Sequence, residues 1–209
     1  MQKIYFNVTG VGDNINECQK GMRKSMKSLF VLSHCILNNA AKVEQDESEL
    51  EEEYRIRDEL MELISEQKVQ MLQLPCPEFM MYGSQRWGHV KEQFEHPYYK
   101  EQCRTLLQPV MLQLEEYKRH PESFRVLGVI SVEGSPNCGY HLTCSGNWKG
   151  EIGTDCEKIA EIQETLQMVP ESGVYMQLIE EELQKRNLDI PIVTMEEATT
   201  LLKEQKVCI

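Results

Sequence analysis

Three short apolar segments, each followed by a cysteine, constrain the fold of this chain more than any other feature of its sequence. They span residues 29–35 (LFVLSHC), 69–76 (VQMLQLPC) and 126–138 (VLGVISVEGSPNC). Short apolar runs bounded by turn-forming residues are typical of buried β-strands. The chain therefore presents a cysteine just beyond the carboxyl end of each of three predicted strands.

Helical patterns separate these strands. They predict helices over about residues 49–66, 98–119, 155–168, 171–186 and 195–205, and a fourth short strand at 191–193. Alternating strands and helices predict a single α/β domain, in which a parallel sheet of about four strands carries helices on both faces. In such Rossmann-like or flavodoxin-like sheets, ligands bind beyond the carboxyl ends of the strands. We therefore expect the three cysteines to converge at one edge of the sheet.

Local patterns refine these elements. Ser48 and Glu51 fit a capping box at the start of the first long helix. Pro109 is expected to kink or split the helix over 98–119. The segment 141–150 shows no regular period and is predicted to be irregular.

Length and composition indicate one globular domain. The chain has 209 residues, of which 41% are hydrophobic and 27% charged, and these values are ordinary for a domain with a sizeable core. We expect residues 1–27 to form a flexible N-terminal extension and residues 28–209 to form the α/β domain.

Charge and cysteine content indicate the cellular setting. The net charge of −12 argues against a nucleic-acid partner, although it leaves room for a local tRNA site. No apolar run reaches the roughly 18 residues of a membrane span, and the first residues lack the apolar core of a signal peptide. The eight cysteines are therefore interpreted as reduced thiols of a cytoplasmic protein without a membrane partner.

Three converging thiolates suit a metal centre. They could hold a zinc ion with an open position, or a [4Fe–4S] cluster in which one iron lacks a protein ligand. A fourth thiolate could come from Cys144, whereas Cys103 fits the apolar face of a helix and is expected in the core. Any single cysteine could equally be a buried thiol, but packing does not explain why all three stand just past strand ends.

Three blocks of sequence carry a resemblance to a known family. Residues 33–37 (SHCIL), 75–78 (PCPE) and 128–139 (GVISVEGSPNCG) resemble the signature blocks of the thiouracil desulfidases. The chain is most similar to a subgroup in which residues 86–88 (RWG) and 148–151 (WKGE) also recur. It departs from the family at Asn38, where glycine is usual. The resemblance covers the chain from about residue 28 to its end.

The resemblance implies a cofactor and a reaction. It implies a [4Fe–4S] cluster bound by Cys35, Cys76 and Cys138. The open iron would bind the sulfur of a small thiocarbonyl substrate, such as a thiolated pyrimidine. Water would then replace that sulfur with oxygen and release sulfide without net electron transfer. The chain would thus be a desulfidase, an enzyme that hydrolyses C=S to C=O.

The resemblance and the local chemistry also suggest catalytic residues. Ser135 matches the family serine three residues before the third ligand, where it could hold or polarise the substrate. Glu78, two residues past Cys76, is the first candidate for the acid/base, and Glu133 is the second. Either carboxylate could instead cap a helix or pair with a lysine.

The polar and aromatic segment 82–89 is predicted to contact the substrate. Trp87 could stack on a heterocycle, Arg86 could bind a carbonyl or phosphate, and Tyr82 could contribute with them. A packed tryptophan beside a surface arginine is the structural alternative. Ser33, beside the first cysteine, is also assigned to substrate binding. The segment further contains His89, and two other histidines, His34 and His141, could be structural or carry protons.

Two other functions compete with the desulfidase. One is a non-enzymatic module that holds zinc structurally, or an iron–sulfur cluster for sensing or electron transfer. A structural zinc site would be closed by a fourth protein ligand, so the position of Cys144 matters. The other is a hydrolase with a cysteine nucleophile, which would need a histidine within hydrogen-bond reach of that cysteine.

Overall fold

In the computed structural model of the protein, residues 26–151, 153 and 155–204 are described. Most of the expected N-terminal extension, residues 1–25, therefore lies outside the described residues. Lys27, which was assigned to that extension, already begins the first strand.

The predicted α/β fold is confirmed. The elements follow in the order β1 (Lys27–Leu32), α1 (His34–Leu37), α2 (Glu47–Glu66), β2 (Gln70–Gln73), α3 (Pro77–Tyr82), α4 (Lys91–Phe94), α5 (Pro97–Arg119), β3 (Phe124–Ile130), β4 (Thr143–Ser145), α6 (Cys156–Gln163), β5 (Gln167–Val169), α7 (Val174–Lys185), β6 (Ile192–Val193) and α8 (Met195–Glu204). Four strands form a parallel sheet in the order β2-β1-β3-β6.

Helices pack around this sheet in a single domain. Helix α2 packs against α8, and α5 packs against α7. The central strand β1 is the most deeply buried, with Phe30, Val31 and Leu32 wholly inaccessible to solvent. Burying a side chain of this size contributes about 1.5–3 kcal/mol to folding. The strand that precedes Cys35 therefore makes a large contribution to the stability of the core. Within the described part of the chain, no helix combines the length and apolar character needed to cross a bilayer.

The register of the sheet brings the three strand ends level. Leu32, the last residue of β1, pairs with Gln73 at the end of β2 and with Ile130 at the end of β3. The chain leaves all three strands at the same edge because the strands are parallel. This edge is where Cys35, Cys76 and the loop that carries Cys138 lie.

Two local predictions need correction. The segment 141–150 is not irregular throughout, because Thr143–Ser145 pairs antiparallel with Gln167–Val169. The helix predicted over 155–168 ends at Gln163, where the chain turns to form β5. A strand of three residues is too short to show a period, so this two-stranded sheet is not visible in the sequence.

Two helix details also differ from expectation. Helix α2 is capped by Asp46, whose carboxylate accepts the backbone N–H of Ser48 at 2.9 Å, so Ser48 is not the cap. Pro109 lies inside α5, and the helix is continuous from Pro97 to Arg119 and therefore not split.

Candidate functional site

Each of the three cysteines lies in the segment that follows its strand. Cys35 lies in α1, directly after Ser33 and His34. Cys76 is the N-cap of α3, and its sulfur accepts the backbone N–H of Phe79 at 3.3 Å. Cys138 is buried in the loop after β3 and is 9% exposed. The three thiols therefore sit beyond the carboxyl ends of three neighbouring strands.

The thiols are close enough to influence one another electrostatically. Burial raises the pKa of Cys138 well above its ordinary value, and the neighbouring thiols of Cys35 and Cys76 raise it further. Burial also raises the pKa of Cys35 to about 12, against the opposing effect of Lys42 and with an added contribution from Cys76. Without a metal, these thiols therefore keep their protons.

This donor set fits a soft, positively charged centre. Metals bind the thiolate rather than the thiol, and a cationic group among the sulfurs would offset the cost of removing thiolates from water. Among the described residues, no group of three or more His, Cys, Asp and Glu side chains is arranged to hold a metal ion. The three thiols therefore suit a metal centre by their chemistry and their electrostatics, and they are not arranged to coordinate a single metal ion.

The loop that carries Cys138 folds tightly. The backbone N–H of Val132 donates to the carbonyl of Cys138 at 2.9 Å. Ser135 Oγ accepts the N–H of Cys138 at 3.0 Å, and as a hydroxyl it retains its own O–H donor. A side chain at Gly139 would place its Cβ 2.0 Å from the carbonyl oxygen of Leu142, so only glycine fits there. Ser135 therefore lies within one turn of the third thiol and fixes its backbone.

Glu133 anchors the same loop from inside. Its carboxylate accepts the hydroxyl of Ser131 at 2.7 Å and three backbone N–H groups, those of Tyr140 (3.0 Å), His141 (3.0 Å) and Leu142 (2.8 Å). Four donors engage both carboxylate oxygens. The structure therefore gives this second acid/base candidate a role in holding the loop closed.

Glu78 lies beside the thiols in a buried ion pair. It is 7% exposed, and its Oε1 accepts Nε of Arg86 at 2.6 Å. The Arg86 side chain is 4% exposed, and its other nitrogens donate to the carbonyls of Gly83 (3.1 Å) and Ala41 (2.7 Å). The carboxylate of Glu78 raises the pKa of Cys138 after burial and the two neighbouring thiols. The structure thus places Arg86 on Glu78 and places Glu78 next to the cysteines.

The other residues of segment 82–89 lie around a cavity or in solvent. The cavity measures about 560 Å³, and its lining includes Tyr82, His89, Trp148 and Lys149. Burial lowers the pKa of His89. Trp87, in contrast, is 80% exposed. The segment therefore divides between a cavity wall, a buried ion pair and the surface.

The remaining candidates take different positions. Ser33 is 1% exposed and donates its hydroxyl to the carbonyl of Ile130 at 3.1 Å, which joins the ends of β1 and β3. His34 Nδ1 contacts the side-chain amide of Gln73. His141 is more than half exposed and lies 3.8 Å from Glu197.

Three further cysteines of the described residues, Cys103, Cys144 and the exposed Cys156, are outside the trio. Cys103 is wholly buried in the core, as predicted. Burial and the carboxylate of Glu92 raise the pKa of Cys144. Its charged neighbour is thus a carboxylate. Among the three strand-end thiols, by contrast, Cys76 raises the pKa of Cys35, and both raise the pKa of Cys138.

Lys42 lies near the first thiol, and its sequence pattern did not single it out. Its side chain is 12% exposed, pairs with Glu53 and opposes the rise in the pKa of Cys35. Glu53 belongs to an acidic run over residues 44–53, which has the composition of a solvated segment. Two buried tyrosines, Tyr99 and Tyr175, also lie near the thiols, and helical spacing alone identifies such residues only as core.

Comparisons with known proteins identify the family of this chain. The family model described as "Putative 2-thiouracil desulfurase" matches residues 26–168, which is more than half of the chain. The chain is 33% identical over 112 residues to "Uncharacterized protein MJ0003" of Methanocaldococcus jannaschii, covering 54% of this chain and 67% of the relative. No solved structure shows a significant match. Because the family match contains all three strand-end cysteines and the loop that folds around Cys138, the chain belongs to this 2-thiouracil desulfurase family.

Proposed function

We propose that this protein is a non-redox desulfidase that replaces the sulfur of a small thiocarbonyl compound, of the thiouracil type, with oxygen. The observation that carries this proposal is the convergence of three mutually interacting thiols at level strand ends. Membership of a desulfurase family supports the reaction class. The balanced reaction consumes water and a thiocarbonyl compound and yields the carbonyl compound and hydrogen sulfide.

Cys35, Cys76 and Cys138 would hold a [4Fe–4S] cluster. When bound, such a cluster supplies an iron atom without a protein ligand, which is a Lewis acid suited to a sulfur donor. Six cysteines of the described residues are free thiols. We therefore assign the protein to a reducing compartment, the cytoplasm.

Glu78 and Ser135 would manage the protons and the orientation of the substrate. Arg86 donates to one oxygen of Glu78, and we assign to the other oxygen the proton that the attacking water gives up. Ser135 accepts the N–H of Cys138, so its own O–H can donate to the substrate beside the third thiol. Arg86 then acts by holding Glu78 in position.

The cavity near α3 suits a small heterocyclic substrate. Its volume of about 560 Å³ falls in the usual range of small-molecule sites. Tyr82 and Trp148 offer aromatic faces in its lining, and Lys149 offers a positive charge. Tyr82 ends the helix that begins next to Cys76, so the cavity lies one short helix away from the thiols. The exposed Trp87 would contact a substrate only from the protein surface. Ser33 would act indirectly, by holding the ends of β1 and β3 together.

Anaerobic reconstitution followed by a turnover assay tests the proposal. The purified protein is loaded with iron and sulfide, both are quantified, and 2-thiouracil and 4-thiouracil are then added. We expect four irons per chain, together with sulfide release and the matching oxo product. One tightly held zinc ion and no turnover would instead support a non-enzymatic metal-binding module.

Two serine variants make this test specific for three ligands. Cys138→Ser should lose the iron and the activity because it removes one ligand. Cys144→Ser is the matched control and should keep both. If Cys144→Ser also lost its iron, the centre would be closed by a fourth thiolate and the desulfidase proposal would fail.

A further inference from the structure

Three polar side chains near the thiols are buried without a hydrogen-bond partner. They are the hydroxyls of Tyr99 and Tyr175 and both polar atoms of the Asn137 side chain. The hydroxyl of Tyr99 also lies beside the thiol of Cys103 and lowers its pKa, but a thiol is only a weak hydrogen-bond acceptor. Tyr99 is 0% exposed, and Tyr175 and Asn137 are each 1% exposed. A buried hydroxyl that is left unpaired costs roughly 1–3 kcal/mol. Two such hydroxyls near the thiols indicate that a bound group with hydrogen-bond acceptors fits in this region.

The backbone places Tyr175 beside the third cysteine. The N–H of Tyr175, in the first turn of α7, donates to the carbonyl of Asn137 at 3.0 Å. Asn137 directly precedes Cys138. A Cβ at Gly173 would lie 2.7 Å from the carbonyl carbon of Asn137, so the start of α7 approaches this loop as closely as the backbone allows.

Tyr99 approaches the same thiols from another helix. It lies in the first turn of α5, one turn before the buried Cys103, and its ring centroid is 4.6 Å from that of Phe94. Burial raises the pKa of Tyr99, and the nearby thiols of Cys103 and Cys138 raise it further. Burial and the thiol of Cys138 likewise raise the pKa of Tyr175. A phenol carries its proton at neutral pH, so both hydroxyls can act as donors.

We propose that Tyr99 and Tyr175 donate hydrogen bonds to the sulfur atoms of the group held by Cys35, Cys76 and Cys138. This inference rests on the proposed function, because it takes that group to be a [4Fe–4S] cluster. The inorganic sulfides and thiolates of a cluster carry negative charge and accept hydrogen bonds. The two phenols are positioning residues that stabilise this charge in a buried site.

Hydrogen bonds to sulfur have a measurable consequence besides activity. They stabilise the more negative, reduced cluster more strongly than the oxidised one, and they are one of the factors that set the reduction potential. Removing either hydroxyl should therefore lower the potential. For a one-electron couple, a tenfold change in the equilibrium constant corresponds to about 59 mV.

Tyrosine-to-phenylalanine variants isolate the hydroxyl from the packing. Tyr99→Phe and Tyr175→Phe keep the ring and remove only the oxygen. In the metal-free protein, each should leave the melting temperature unchanged or raise it, because an unpaired buried hydroxyl disappears. In the loaded protein, each should lower the reduction potential and shorten the lifetime of the cluster. Tyr98→Phe, at an exposed position next to Tyr99, is the matched control and should change neither.

The experiment combines anaerobic loading, iron and sulfide analysis, and redox titration followed by electron paramagnetic resonance. Full iron content with potentials equal to wild type in both variants would overturn the inference. A wild-type protein that takes up no cluster would overturn both this inference and the proposed cofactor. Shifted potentials in a protein that releases no sulfide from thiouracil would support the two donors and contradict the desulfidase activity alone.

Discussion

Glu133 shows how one partly buried carboxylate can shape a whole loop. It accepts the Ser131 hydroxyl and three consecutive backbone N–H groups, from residues 140 to 142. Glutamine at this position would keep one acceptor oxygen but turn an NH₂ group towards N–H donors. We expect Glu133→Gln to lower the free energy of unfolding by about 1–3 kcal/mol and to weaken iron retention, because Cys138 lies in this loop.

Chemical denaturation and iron analysis check this prediction. Glu161→Gln is the matched control, because Glu161 is exposed on α6. Equal stability and iron content in Glu133→Gln and in the control would show that the carboxylate does not hold the loop.

The ion pair of Glu78 and Arg86 is buried on both sides, with side chains 10% and 4% exposed. Removing the arginine would leave a buried charge and two carbonyls without their donor. We expect Arg86→Met to reduce the free energy of unfolding by about 3–5 kcal/mol. The double variant with Glu78→Gln should recover part of that loss, because it also removes the unpaired charge.

The comparison needs an exposed pair as its control. Arg55 and Glu52 form such a pair on α2, and Arg55→Met should produce no measurable change. Additive losses in the double variant at the Glu78–Arg86 pair would contradict the coupling. The desulfidase assay on the same proteins reports whether Glu78 is also needed for turnover.

At the scale of elements, Arg186 joins α5 to α7. It donates to Glu182 at 3.2 Å, to Glu115 at 2.7 Å and to Gln108 at 2.9 Å. Burial opposes the ionisation of Glu182, but hydrogen bonds from Arg186 and Lys185 outweigh it and hold the pKa of this carboxyl below 4.5. The stability that ionised Glu182 contributes is therefore present above the unfolded pKa and is lost as the pH falls through the lower folded value.

The expected result is a pH-dependent difference between two proteins. At about pH 6, the free energy of unfolding of the wild-type protein should be larger than that of Glu182→Gln. The difference between the two should shrink as the pH falls to about 3. Urea denaturation across this range measures it in the metal-free protein. A constant difference over the whole range would show that the charge of Glu182 does not stabilise the packing of α5 on α7.

The elements also show what the sequence can and cannot predict. Apolar runs ending in cysteine predicted the parallel strands. Because parallel strands all end on the same side of a sheet, these runs also predicted that the thiols lie together beyond the carboxyl ends of the strands. The pairing of Thr143–Ser145 with Gln167–Val169 was missed, because strands of three residues carry no period. The partners of Glu78 and Glu133 depend on the final fold, since a carboxylate has the same sequence signal at a cap, in an ion pair or in a loop.

At the scale of the whole molecule, the thiol site lies beyond the carboxyl ends of the parallel strands. Three strands end there, and burial is the main cause of the raised pKa values of all three thiols. A cluster that binds all three would connect segments 41 and 62 residues apart, the separations of Cys35 from Cys76 and of Cys76 from Cys138. A group that binds only the folded state stabilises it in proportion to its affinity. Loading should therefore stabilise the whole domain and not only one loop.

We expect the loaded protein to melt several degrees above the metal-free protein under anaerobic conditions. For a domain of this size, each kcal/mol corresponds to roughly 2–4 °C. Cys35→Ser, Cys76→Ser and Cys138→Ser should each lose this increase, whereas Cys144→Ser should retain it. Differential scanning calorimetry of matched loaded and metal-free samples measures the difference. Equal melting temperatures in a protein that holds four irons would mean that the cluster binds to an edge that is already rigid, and that the three cysteines serve the chemistry without stabilising the fold.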